Sequence, residues 1–135
     1  MTAPFGKVAQ AQVQPQATAG NDLNSNIWRV DSDATVSAVT YVPVTAITGA
    51  NTNTRSVSLV NKGQAGSGTT VIATIQYNSG VNAAAGDENV VTLSGTPANL
   101  NVSAGDILQW QSTHVGTGIA DPGGLVCVTL AARYA

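Results

Sequence analysis

Asn99 to Ala132 reads NLNVSAGDILQWQSTHVGTGIADPGGLVCVTLAA, and this stretch decides the fold. Leu100 and Val102 alternate with Asn99 and Asn101, and Ser103-Ala104-Gly105-Asp106 then supplies turn chemistry. From Asp106 to Ser112, Leu108 and Trp110 share one phase while Gln109 and Gln111 share the other. Thr113 to Gly123 carries Gly116, Gly118, Pro122 and Gly123, and the apolar run Leu125-Val126-Cys127-Val128-Thr129-Leu130 follows. Period-2 alternation bounded by Gly, Pro, Asn and Asp marks half-buried strands. Two such strands joined by a Gly-rich loop predict an antiparallel pair within a sandwich.

Working outward, Ile27 to Val30 and Ala34 to Val44 read as strands. In the second, Val36, Ala38 and Val42 hold one phase and Val39 and Tyr41 the other; Pro43 ends it or places it at an edge. Arg55 to Val60 alternates with Val57 and Leu59 inward. Thr69 to Tyr77 puts Val71, Ala73, Ile75 and Tyr77 on one face, and Glu88 to Leu93 and Ala98 to Val102 are short strands. No segment sustains a helical apolar period. The expected fold class is all-β: an antiparallel β-sandwich, jelly-roll-like, of roughly seven to nine strands.

Residues 1–26 differ from the rest. AQAQVQPQATAGNDLNSN is rich in Ala, Gln and Asn, has Pro15 within it, and shows no sustained apolar period. Alone it cannot bury enough apolar surface to offset its ordering entropy. The expected organisation is an extended N-terminal arm, 1–26, and a sandwich domain, 27–135. Extended, the arm reaches on the order of 85 Å, enough to lie on a neighbour.

Charged residues are 9% of the 135, against about 25% in ordinary soluble domains. Asn, Gln, Ser, Thr and Gly replace them, so the surface can meet another protein without the desolvation cost of buried charge. Net charge is −2, and Lys7, Arg29, Arg55, Lys62 and Arg133 are scattered. Without a basic run no nucleic-acid footprint is expected, and no apolar stretch suits a membrane. No secretory leader is expected, because Lys7 and repeated Gln interrupt any apolar run near the start. Cys127, the single cysteine, excludes an internal disulfide and is expected to be a small buried thiol.

Candidate chemistry is sparse. His114, the only histidine, lies in a Gly-rich loop without an orienting partner for nucleophilic catalysis. Gly63 to Thr69 lacks the Lys-Ser/Thr ending and following helix of a phosphate loop. Asp31 and Asp33 read as turn residues rather than calcium ligands. No Cys/His cluster suits zinc, so neither metal nor cofactor is expected. Trp28, Trp110, Tyr41, Tyr77 and Tyr134 could line a sugar-stacking face, although Trp110 fits the core better. No enzyme is indicated. The candidate contacts are for assembly: Phe5, Lys7, Val8, Val13, Leu23, Trp28 and Arg29 in and beside the arm, with His114 and Lys62 in loops.

Val42-Pro43, Thr48-Gly49-Ala50-Asn51-Thr52-Asn53-Thr54-Arg55, Leu59-Val60-Asn61-Lys62-Gly63, Ala104-Gly105-Asp106, Ser112, Val115-Gly116-Thr117-Gly118 and Pro122-Gly123-Gly124 occur in that order. This succession resembles small β-sandwich virion proteins of tailed bacteriophages, of the head decoration or cement type. The likeness covers about 27–134 and rests on turn residues, so it assigns no individual contacts. It implies a structural protein bound to the major capsid protein on the outside of the shell, made in the host cytoplasm and often trimeric. The alternative is a head-fibre or surface module that binds carbohydrate or a receptor.

Overall fold

Alternation in the sequence becomes a two-sheet sandwich in the computed structural model, which describes residues 7–133. The strands in chain order are β1 (Lys7–Val13), β2 (Leu23–Arg29), β3 (Ala34–Pro43), β4 (Thr54–Asn61) and β5 (Thr70–Gln76), then β6 (Asn89–Val90), β7 (Thr92–Leu93), β8 (Asn101–Val102), β9 (Ile107–Val115) and β10 (Gly124–Ala132). Sheet 1 runs β1-β10-β3, with β6 and β8 both pairing with β3; sheet 2 runs β2-β9-β4-β5-β7. Every pairing is antiparallel. The chain passes from sheet to sheet at most connections, and its first strand lies beside its last. That is jelly-roll connectivity, and the protein is an all-β sandwich.

Val36, Val39 and Tyr41 of β3 and Val126, Val128 and Leu130 of β10 fill the space between sheets. From sheet 2 come Val57 and Leu59, Ile72 and Ala73, and Leu108 and Trp110. The rings of Tyr41 and Trp110 meet across the gap with centroids 5.3 Å apart and planes tilted by 45°, joining the sheets through aromatic packing. Trp110 is therefore core, as its phase with Leu108 indicated.

Several expectations change. Residues 7–26 are not an arm outside the sandwich. β1 pairs along its whole length with β10, from Lys7 opposite Leu130 to Val13 opposite Gly124. β2 crosses the expected boundary at 26/27 and pairs with β9, Leu23 lying opposite Ser112. The segment is too polar to pack alone, but its backbone completes both ladders, and Val13 joins the core. The segments around Trp110 and Cys127 do not pair with each other either: β9 belongs to sheet 2 and β10 to sheet 1. The Gly-rich loop between them spans the sandwich rather than closing a hairpin.

Two bulges shift the phases. A register skip at Ser37 lets Val36, Val39 and Tyr41 all face inward, leaving Ala38 and Val42 outside. A second skip, between Leu59 and Val60, buries Ile72 beside Ala73 and leaves Val71 exposed, so the face assigned to Thr69–Tyr77 is corrected. Such an extra residue re-aims the rest of its strand. Glu88–Leu93 is not one strand: β6 joins sheet 1 and β7 joins sheet 2, with Val91 buried at the crossing. Pro97–Leu100 forms a 3-10 turn, so only Asn101 and Val102 remain of the strand expected over 98–102.

Candidate interaction surface and the network behind it

The outer face of sheet 1 is built from side chains that the inner phase leaves over. Reading across the strands, Gln10, Cys127, Thr40 and Val90 form one row, and Val8, Thr129 and Ala38 another. Gln12, Leu125 and Val42 form a third. None of these residues is charged. Val8 is 54% exposed and Val90 66%, while Cys127 is half-buried among Gln10 and Thr40. The cysteine thus lies on the outer face and not in the core. The nearby ion pairs lie together at one end of the sheet: Lys7, in the opposite phase of β1, pairs with Asp31, and Arg133 Nη2 lies 3.4 Å from Asp33 Oδ2. Depletion of charge on a partly apolar patch is a property of interface centres.

One sign of this face stood in the sequence. Leu125 to Val128 is apolar in both phases, the pattern of a strand covered on both sides. Among the described residues only the inner side is covered.

The outer face of sheet 2 has different chemistry. Asn24, Gln111, Ser58, Thr74 and Thr92 make a row across all five strands. Ser58 Oγ lies 2.7 Å from Thr74 Oγ1, and Gln109 Nε2 donates to Asn26 Oδ1 at 2.9 Å. Gln111 Nε2 donates to Gln109 Oε1 at 2.8 Å. These groups satisfy one another along the sheet, as on a solvated face.

Behind the surface lies a buried polar network that the sequence did not reveal. Arg55, one of the five scattered cations, is 0% exposed. Its Nε donates to Ile119 O at 2.6 Å, Nη1 to Ser112 Oγ at 3.0 Å, and Nη2 to Ala19 O and Asn21 O, both at 2.9 Å. Ser112 Oγ donates to Asp121 Oδ2 at 2.6 Å. Asp121 Oδ1 accepts from Tyr41 Oη at 2.6 Å and from Gly123 N at 3.0 Å. One guanidinium thereby fastens the β1–β2 connector and the β9–β10 loop to sheet 2. Burial, and then the Asp121 carboxylate, push the Tyr41 hydroxyl far above its ordinary value, so it remains a donor. Ser112 is enclosed and takes part in holding the loop; it has no solvent access for nucleophilic chemistry.

Gly118 shows how close those loops come. Its φ is +78°, and a Cβ there would stand 2.1 Å from Ala19 O and 2.6 Å from His114 Cβ. Gly118→Ala is expected to lose about 2 kcal/mol or more in urea unfolding, from left-handed strain together with a backbone clash.

The candidate contacts scatter. Phe5 lies outside the described residues, as does Tyr134. Lys7 sits 5.8 Å from the centre of the half-buried Trp28 ring as well as against Asp31. Val8 faces outward on sheet 1, whereas Val13 points into the core and Leu23 packs against it. Arg29 is exposed at the end of β2. Lys62 follows β4, with its amide bonded to Ile107 O. His114 is not in a loop but within β9, paired with Arg55 at the strand's opposite end, so the two candidates do not meet. The stacking platform does not form either, because Trp110, Tyr41 and Tyr77 are all in the core.

His114 does have a partner. Its Nδ1 lies 2.7 Å from Asp22 Oδ1, and its backbone N–H donates to the same oxygen at 2.8 Å. The side-chain bond to His114, and then its amide, hold Asp22 below the ordinary carboxylate value of 3.8. The Lys7 bond lowers Asp31 and the Ala104 amide lowers Asp33 in the same way. Depressed carboxylates stabilise the fold above their unfolded value and lose that contribution as pH falls through the folded one. The protection of amides over 16–22 relative to their intrinsic exchange is therefore expected to fall as pH drops below about 4, and Asp22→Asn is expected to lower it already at neutral pH.

No family model and no curated protein matches the sequence. Among solved structures, a chain of Desmodium yellow mottle tymovirus is similar, with a TM-score of 0.41 and 13% identity, over 100% of this chain and 86% of that one. A chain of infectious bursal disease virus, Gx strain, gives a TM-score of 0.38 and 10% identity over 97% of this chain and 33% of that one. This chain therefore spans about a third of the latter's length. Both come from viruses, and at these scores the likeness decides neither fold nor function.

Proposed function

We propose that this protein is a structural component of a virion: a decoration protein that seats the outer face of sheet 1 on the exterior of a tailed-phage shell, as a trimer. The observation that carries the reading is the uncharged centre of that face, where β3 and β10 turn Ala38, Thr40, Val42, Leu125, Cys127 and Thr129 outward. Covering it removes apolar surface from water without stranding a charge. The sequence resemblance to tailed-phage decoration proteins points the same way. Repetition over a shell lets a modest contact at each site accumulate. The test is co-sedimentation of purified protein with undecorated shells of its phage. Saturable binding is expected, together with retention of DNA to a higher temperature; protein left wholly in the supernatant would overturn the proposal.

A second reading, a carbohydrate- or receptor-binding module, draws on the amide and hydroxyl row of sheet 2. It predicts glycan-array binding that Asn24→Ala and Gln111→Ala abolish. Of the aromatics proposed for stacking, Trp28 alone among the described residues stands partly open to a sugar.

A further inference from the structure

An apolar groove of about 540 Å³ opens where β1 ends and β10 begins. Val13, Pro15, Val42, Pro43, Val44 and Leu125 are among its walls. Val44 at its lip is 67% exposed, the most open large apolar side chain among the described residues. We infer that the groove receives residues 2–6, Thr-Ala-Pro-Phe-Gly, of a second copy of this chain, with Phe5 as the anchor.

The length and direction of the chain select that occupant. Residues 1–6 precede β1 and hold Phe5, the only phenylalanine. Lys7 lies opposite Leu130 and Val13 opposite Gly124, so the groove is at the far end of β1 from the segment. Six strand steps separate Lys7 from Val13, about 20 Å. Phe5 is two residues from Lys7 and reaches about 7 Å. A chain therefore cannot place Phe5 in its own groove, whereas a neighbour can. The chemistry matches as well: Ala3-Pro4-Phe5 carries no charge, and the six groove residues named above carry none. β1 is the edge of sheet 1, so an incoming segment runs beside backbone that pairs on one side only. Each copy gives a segment and receives one, which a reciprocal pair satisfies and so does a ring when the rotation between copies closes. The inference rests on the oligomeric part of the function proposed above and is independent of what the sheet 1 face binds.

The experiment uses the full chain with Cys127→Ser, so that only introduced thiols react. Ala3→Cys protein, which keeps the Phe5 ring, is mixed with Val44→Cys protein under mild oxidation, with Ala3→Cys plus Ser67→Cys as the control, Ser67 being exposed in the β4–β5 loop. A disulfide between two chains is expected for the first mixture, at least about tenfold faster than for the control, because docking raises the local thiol concentration. Sedimentation equilibrium of Phe5→Ala, with its folding checked by circular dichroism, is expected to show association weakened by about tenfold or more, from loss of the buried ring. Equal cross-linking in both mixtures would overturn the inference. So would an Ala3→Cys/Val44→Cys chain that closes on itself, or a wild-type protein that stays monomeric. Loss of shell co-sedimentation with the cross-link intact would count against the shell reading alone.

Discussion

Arg55→Ala is expected to destabilise the fold by about 3–5 kcal/mol, because it leaves a buried network without its cation. The guanidinium donates to three backbone oxygens and to Ser112, which in turn donates to Asp121. Removing it leaves the carbonyls of Ala19, Asn21 and Ile119 without that donor and the Asp121 carboxylate without a compensating charge. In thermal unfolding the midpoint should fall by roughly 10–20 °C for a domain of this size. Arg55→Lys should recover only part of the loss, since an ammonium cannot reproduce the planar fork. Ser112→Ala should cost about 1–3 kcal/mol, because it removes the hydroxyl between two charged groups that both stay buried. Urea and thermal unfolding measured on the same three variants decide the matter. A loss below about 1 kcal/mol for Arg55→Ala would mean that water reaches the site and the network is not a buried clamp.

Val90→Glu tests the binding face with little disturbance of the fold. Val90 is 66% exposed on two-residue β6, at the end of the row Gln10–Cys127–Thr40–Val90. Folding stability should change by about 0.5 kcal/mol or less, as for other surface replacements. Shell affinity should fall by about 100-fold or more, the consequence of an uncompensated carboxylate in a covered apolar interface. Thr92→Glu is the matched control, on the outer face of sheet 2, and should leave shell binding unchanged. If Val90→Glu binds like the wild type while Thr92→Glu does not, the two faces have exchanged roles and the proposed seat is wrong.

Much of the architecture was legible before any coordinates. Leu108 and Trp110 announced a half-buried strand, Val57 and Leu59 another, and turn residues separated them at short intervals. What misled was the polar character of 7–26. Periodicity detects a side-chain face, but β1 and β2 are held largely by backbone hydrogen bonds, which Gln, Ala and Asn can form as well as Val. The phase errors in β3 and β5 have a similar origin. A bulge is one residue of backbone geometry and alters no hydrophobic pattern, yet it reverses the facing of everything beyond it.

The sequence by itself determined an all-β chain with few charges and no concentration of catalytic or metal-binding residues. It did so because alternation, turn chemistry and composition are local properties, readable a few residues at a time. Only the tertiary structure decided that Arg55 is buried, that His114 meets Asp22, and that Val8, Cys127, Thr40 and Val90 share one outer face. Those pairings join residues tens of positions apart, and their partners are chosen by strand order and register, which no single stretch of the chain encodes.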